Sequence, residues 1–523
     1  VPSEEIRMTK TLLLILITAT GSGGVLDLTL KDAVRLALEN NRDIQIEEKN
    51  VEVSEGEIKT QQGVFDPLFN IVSFYNDGDT PTLSTFVPTG TVSQKEFNAE
   101  ANIEGFLPTG TFYNLIDFST TWTDTNNPLE DLSPSWYNNV GFSLGQELLR
   151  NFGVGVNRTF IVTAQRTSEI TEMELEKRIS EVLLEVERRY WLVVAARKNL
   201  ELERTALELA IDLKNRNQIQ VDVGVLPPVA VTQAESEVAA REVSVIRAEN
   251  DLQATQDNLK NVLAMDLSRP IAAVDEPTTE VYTFSEEDSL TQAYAERPEI
   301  EQVVLDIENK KTLKNYYSNQ KLPRLAVEGS LQLQGLGGDE NPDRLSFDEE
   351  PEPIPPQFDS PGDAFSQLWG GDFATWQVLG IFSFPLFNRT ARGNYIKATA
   401  ELDRSSIVLS RTKDDVALDV RSAIRLIENS LRAIEAAGVS IDLAEEVVRN
   451  EQERLNVGIG TTREVLEAQR DLIDAGTREI TAVTSYNIAL AELEFAKGTI
   501  LEKNDVRIEE FGPGGGAPVV EHP

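Results

Sequence analysis

One stretch decides most of what this chain can become. From Ala391 to Asn456 there is no proline, and the only glycines are Gly393 and Gly438. About 60 helical residues at 1.5 Å each would run roughly 90 Å, longer than a compact domain can bury. Such a helix needs a neighbour of similar length, so the stretch predicts an extended coiled coil. A second stretch, from about Thr171 to Gln220, is also free of Pro and Gly. Beyond it, Ala234, Val238, Val245, Ala248, Leu252, Leu259 and Val262 fall on steps of four and three. Arg241 and Thr255 break that series, so the seam is an imperfect heptad.

The helices turn back on themselves at short glycine-containing breaks. Val223-Gly224-Val225-Leu226 is followed by Pro227-Pro228, which places Gly past one helix end and Pro near the next start. Val457-Gly458-Ile459-Gly460-Thr461 repeats the pattern, with Thr461 as the expected N-cap. Each long pair is therefore expected to be an antiparallel hairpin with an exposed tip.

The two tips belong to a larger duplication. Asp32-Ala33-Val34 through Asn41-Arg42-Asp43-Ile44 resembles Asp288-Ser289-Leu290 through Arg297-Pro298-Glu299-Ile300. Pro67-Leu68-Phe69 falls on Pro323-Arg324-Leu325 at the same offset, and Ala234-Glu235 on Ala468-Gln469 at the offset of the tips. The chain reads as two copies of one unit, residues 26–275 and 276–505. Their helical hairpins are expected at 171–265 and 390–502. Each copy runs helix, strands, long helix, turn, long helix.

Between the helices, apolar and polar residues alternate. Phe97, Ala99, Ala101 and Ile103 interleave with Asn98, Glu100, Asn102 and Glu104; Leu325, Val327, Leu331 and Leu333 with Arg324, Glu328, Ser330 and Gln332. Val140, Phe142, Leu144 and Leu148 follow the same rule in the first copy. Period 2 gives one apolar and one wet face. Strands are expected near 324–334 and 374–386, and near 68–76 and 137–149, with a further hairpin over 95–122. Several reach the roughly 9–11 residues of a tilted membrane strand, and a half-buried soluble sheet shows the same alternation. In lipid, four to six strands per chain would leave open edges, and a closed barrel needs about eight, so chains would pool their strands. Three chains would give 12 strands, or 18 with the extra hairpin.

Composition narrows the chemistry. With 48 Lys and Arg against 87 Asp and Glu, the net charge is -39, which argues against nucleic acid as a partner. There is no Cys, and the single His is His522. This excludes disulfides and thiolate sites and leaves no basis for His-based catalysis or zinc chemistry. No catalytic residue, cofactor or metal site is expected.

At the start, Arg7 and Lys10, the run Leu12–Ile17 and the small residues Ala19–Gly24 have the order of a secretory signal, expected over 1–24. The run is too short for a membrane helix. Gly337–Asp363, rich in Gly, Pro, Asp and Glu, reads as a long mobile loop, and 506–523 as a disordered tail. Trp122, Trp136, Tyr137, Trp369 and Trp376 lie near strand ends, where interfacial aromatic belts occur.

Taken together, these residues resemble the TolC family of outer-membrane efflux proteins. The resemblance covers about 26–505. It rests on Leu28-Thr29-Leu30-Lys31-Asp32-Ala33-Val34, Arg297-Pro298-Glu299-Ile300, the corners Gln146–Gly153 and Phe384-Pro385-Leu386-Phe387, and the two tips with Val465-Leu466 and Ala468-Gln469. It implies an α+β membrane protein, a trimeric outer-membrane β-barrel continued by a periplasmic α-helical coiled-coil barrel. It also implies a passive conduit for cargo driven by an inner-membrane RND, ABC or MFS transporter. A periplasmic adaptor (membrane fusion protein) would make the link, as in tripartite efflux and type I secretion. The other reading of the pattern is a secreted coiled-coil scaffold without a pore.

By the same resemblance, Val223, Gly224, Val225, Leu226, Val457, Gly458, Ile459, Gly460 and Thr461 are adaptor-docking tips. Glu464 and Glu467 fall where the family carries inward-facing acids, one step of three apart on one helix face. Acids at a helix start are also favoured by the helix dipole. By the resemblance, a tyrosine and an arginine that help latch the closed entrance in some members are replaced by Leu455 and Gly460, and their partners in the first copy by Val229 and Ala230; Glu147 stands where the family usually has Pro.

Overall fold

The computed structural model describes residues 25–87, 89–345 and 353–506. The expected signal, residues 346–352 of the acidic loop, and 507–523 of the tail lie outside them. The described residues form two compact units. One draws on 25–48, Leu175–Arg297 and 414–506, the other on Lys49–Glu174 and Pro298–Lys413, described residues only. Each unit takes segments from both copies of the repeat, because the long helices pass from one unit into the other.

The helical unit begins with β1 (Leu26–Leu28), α1 (Leu30–Asn40) and the start of α2 (Arg42–Gln62). Thr29 caps α1 in a capping box with Asp32. The break before α2 is made by Asn41, whose Oδ1 accepts from the Asp43 and Ile44 amides at 2.8 and 3.2 Å. Its Nδ2 donates to the Val262 carbonyl at 2.8 Å. The second copy places Arg297 at the equivalent break, 3.5 Å from the Ala496 carbonyl and stacked over Phe495. Both residues thus tie a helix break to the far end of the hairpin of their own copy, which shows the duplication in three dimensions.

A turn of 3-10 helix (Gly63–Phe65) leads into the sheet, β2 (Leu68–Pro81), β3 (Thr91–Phe106), β4 (Thr111–Thr125) and β5 (Leu132–Glu147). A short α3 (Val154–Asn157) precedes α4 (Thr159–Asp222), and α5 (Val229–Val262) completes the first hairpin. β6 (Ile271–Ala273) pairs in parallel with β1, a contact the sequence pattern did not announce. Then come α6 (Glu286–Glu296), α7 (Pro298–Asn319), β7 (Arg324–Glu340), α8 (Pro361–Gly370), β8 (Phe373–Ser383), α9 (Arg389–Asn456), α10 (Thr462–Lys497) and α11 (Ile500–Lys503).

The 64 residues of α4 and 68 of α9 bear out the long helices. α4 starts at Thr159, earlier than the expected 171. The α5 seam is also borne out: Ala234, Ala248 and Leu259 are buried, and the positions between them, Arg241 and Thr255 included, are half-buried. Thr255 satisfies its hydroxyl on the Asp251 carbonyl of its own helix, 3.0 Å away.

In the other unit six strands form one antiparallel sheet, ordered β2-β3-β4-β5-β7-β8. Several strands run past the expected ends, and β8 stops at Ser383. The ladder places Ile71 opposite Ala101, Trp122 opposite Trp136 and Leu331 opposite Trp376. One face is therefore mostly apolar and aromatic, with Lys95, Asp124 and Asn138 among its exceptions. The other carries Asn70, Asn102, Glu100, Ser119, Asn139 and Gln334 at paired positions.

The acidic loop needs correction. Gly337–Glu340 completes β7, and Pro361–Gly370 is helical because Ser360 and Asp363 form a capping box with Pro361 at the first position. α8 lies on the sheet through Gln367, whose side chain bonds both the amide and the carbonyl of Leu336. Glycine makes this possible, since a Cβ at Gly335 would sit 1.9 Å from the Ala364 carbonyl. At the far end, Val506 is buried rather than part of a free tail. Gly335→Val should push α8 off the sheet and cost about 1–3 kcal/mol. The heat-resistant folded band on gels should then be lost at lower temperature. Gly329→Val, where a Cβ meets nothing within 4 Å, should leave that temperature unchanged.

Candidate functional site: the hairpin tips

Both tips are built alike. Gly224 and Gly458 take φ of 78° and 79°, the left-handed region that lets the backbone reverse after a helix. In the second tip the Gly458 and Ile459 amides return to the Leu455 and Arg454 carbonyls at 3.0 Å each. Thr461 then caps α10, as its position predicts. Its hydroxyl accepts from the Glu464 amide at 3.3 Å, and the Glu464 carboxylate accepts from the Thr461 amide at 2.7 Å. Gly460 is needed for closeness, because a Cβ there would lie 2.9 Å from the Leu455 amide nitrogen.

The tips expose apolar side chains. Val223 is 68% exposed, Val225 62%, and Val457 and Ile459 71% each. Leu226 instead packs against a small core of Leu213, Leu455, Val465 and Leu466. Leu455, one of the two substituted latch positions, is thus a core residue here. Buried Asn217 joins the hairpins, donating to the Ala230 carbonyl at 3.2 Å and to the Thr462 hydroxyl at 3.1 Å.

Glu464 is held in the cap, and the Thr461 amide and hydroxyl keep its carboxyl below the usual carboxylate range. A capped carboxylate keeps its charge. Glu467, one turn on, is exposed.

Sequence reasoning missed a charged cluster behind the tips. Glu237 on α5 is 4% exposed. It accepts from Arg241 Nε at 2.9 Å and from Arg470 of α10. Arg241 in turn lies 3.6 Å from Glu203 of α4. Arg241 interrupts the heptad seam, and that interruption was the available signal. Burial raises the Glu237 carboxyl, but Arg470 and then Arg241 outweigh it and hold it below its ordinary value. Glu237 thus joins α5 to α10 directly, and Arg241 extends the cluster to α4.

Among the described residues no group of three or more acidic or His side chains could hold a metal, and no helix is long and apolar enough to cross a membrane.

Because the folded carboxyl is depressed, its contribution is present at neutral pH and is lost as pH falls through the depressed value. Protection of the tip amides from hydrogen exchange, taken relative to the intrinsic rate at each pH, should thus fall in acid. Glu237→Gln should lower that protection already at pH 7, costing about 1–3 kcal/mol locally, and should flatten its acid dependence. Equal exchange in wild type and variant would contradict the role of the cluster.

A family model described as outer membrane efflux protein matches residues 33–264 and 290–499, one segment in each copy. No curated protein sequence matches the chain. Among solved structures, the CmeC outer membrane channel of Campylobacter jejuni is similar with a TM-score of 0.62 at 16% identity, covering 90% of this chain and 86% of that one. VceC of Vibrio cholerae gives 0.62 at 13%, covering 90% and 96%. CusC gives 0.65 at 13%, covering 92% and 95%. At such identities the structures show a shared TolC-like fold, while the family match spans most of the chain. The chain belongs to the outer membrane efflux protein family, as an efflux channel protein of the bacterial outer membrane with a periplasmic helical part.

Proposed function

We propose that the chain acts as a homotrimer, the exit duct of a tripartite export system. Its tips dock on a periplasmic adaptor (membrane fusion protein), which couples the duct to an inner-membrane RND, ABC or MFS transporter. The duct is passive and performs no chemistry of its own; the partner supplies the energy. The observation that carries this reading is the pair of matched tips. Val223, Val225, Val457 and Ile459 stand out into solvent from helices whose other exposed positions are mostly polar or charged. Exposed apolar side chains on a rigid turn favour a protein partner. A secreted scaffold without a pore would have no use for a six-stranded sheet with an aromatic outer face. Glu464 and Glu467 of three chains would place six carboxylates around the entrance, a ring that favours cations over anions.

Val457→Asp with Ile459→Asp should abolish export in cells that supply adaptor and pump, while the trimer still migrates as a heat-modifiable species. Export at the wild-type rate would contradict tip docking. Glu464→Gln with Glu467→Gln should lower the cation-to-anion permeability ratio of the purified channel in planar bilayers by twofold or more. An unchanged ratio would remove the ring and leave the channel.

A further inference from the structure

The two copies of the repeat carry unequal numbers of strands. β2 and β7 begin at equivalent places, Leu68 and Arg324. β5 and β8 each run into the corner that starts a long helix, α4 or α9. Among the described residues, β3 and β4 have no counterpart in the second copy.

This extra hairpin is not a flap on the outer rim. β3 pairs with β2 from Leu68↔Glu104 to Pro81↔Thr91, and β4 pairs with β5 from Thr111↔Gln146 to Thr123↔Ser135. The Leu107–Gly110 turn that joins β3 to β4 returns to the helix-side end of the sheet. There the Glu147 amide donates to the Gly110 carbonyl at 3.0 Å, the Gly153 amide to the Thr109 carbonyl at 3.1 Å, and Asn157 Nδ2 to the Pro108 carbonyl at 3.1 Å. The hairpin therefore spans the full height of the wall.

We propose that three copies of this sheet close, β2 of one chain on β8 of the next, into an 18-stranded barrel whose added strands widen the bore and line it with carboxylates. The inference rests on the trimeric channel proposed above and adds the width and charge of its exit. Both edge strands are exposed along nearly their whole length in the single chain. With strands about 4.8 Å apart and tilted about 40°, a wall of 18 strands is about 36 Å across between backbones, against about 24 Å for 12. Side chains reaching about 5 Å inward would leave bores of about 26 and 14 Å.

The polar face of β3 carries Glu96, Glu100 and Glu104, and Asp117 follows on β4, opposite Asn102. The one base of the hairpin, Lys95, lies on the other face, 3.7 Å from Asp124. Four carboxylates per chain with no cation on the same face of their strands would make the bore attractive to cationic solutes and disfavour anionic ones. Bulky neutral or cationic cargo is the class that such an exit admits.

The chain has no Cys, so one introduced thiol reports without background. Gln332→Cys sits mid-strand on the polar face of β7, opposite Gly141 and Thr375. In the full chain, maleimide polymers up to about 26 Å in diameter should label it from the cell exterior, and larger ones should not. Deleting 91–125, which rejoins β2 to β5 as an ordinary antiparallel pair, should lower the cut-off to about 14 Å. A cut-off near 14 Å in the full chain would overturn the 18-stranded barrel and leave the channel standing, even if the deletion variant failed to fold. Labelling by polymers of every size would mean an open sheet, and the channel reading itself would fail. For the charge, Glu96→Gln/Glu100→Gln/Glu104→Gln keeps the strand number. It should reduce the preference of Gln332→Cys for a trimethylammonium over a sulfonate thiosulfonate reagent at least threefold. An unchanged preference would overturn the carboxylate lining.

Discussion

A strand edge in lipid has no water to satisfy its N–H and C=O groups, and this constraint governs the whole molecule. The sheet ends at β2 on one side and β8 on the other, and no other described strand covers either edge. Six strands cannot bend round to meet each other. On the proposed reading the chain is one sector of a wall, completed when copies join. The apolar outer face of the sheet, with Trp122 beside Trp136 and Leu331 beside Trp376, fits the same requirement. Trp369 on α8 is 90% exposed, which suits a side chain meant for a membrane interface rather than for water.

The helical unit obeys a related rule by other means. Helices as long as α4 and α9 satisfy their own backbones, but they need partners for their side chains. Small seam residues, Ala234 and Ala248 among them, let helices approach closely. The buried Glu237 with Arg241 and Arg470 then fixes how the two hairpins meet. A buried ion pair contributes little net stability compared with apolar packing, but it penalises a wrong register strongly. That suits a place where two hairpins must meet in one arrangement and could be released by breaking a few contacts.

Much of this was legible in residue order. The long helices followed from missing Pro and Gly, the tips from Gly224 and Gly458, and the alternating faces from period 2. The duplication showed in short matches such as Asn41-Arg42-Asp43-Ile44 with Arg297-Pro298-Glu299-Ile300. What stayed hidden depended on distant partners. β1 and β6 are three residues each and have no pattern to detect. α8 lay in a stretch whose acidic and glycine-rich composition masked a local capping box. The Glu237 cluster joins residues 233 positions apart, and only the interruption at Arg241 hinted at it. Whether 95–122 belonged to the sheet turned on the pairing of β3 with β2 and of β4 with β5, which no local signal encodes.

The central claim is that edge meets edge between chains. A short thiol-reactive crosslinker applied to intact outer membranes carrying Ile71→Cys on β2 and Val378→Cys on β8 tests it most directly. The account predicts covalent dimers and trimers with nothing larger, and no crosslinked ladder from either single variant. A ladder extending past three chains would contradict the trimeric wall. A product confined to monomer, from protein shown to sit in the membrane, would contradict closure between chains altogether.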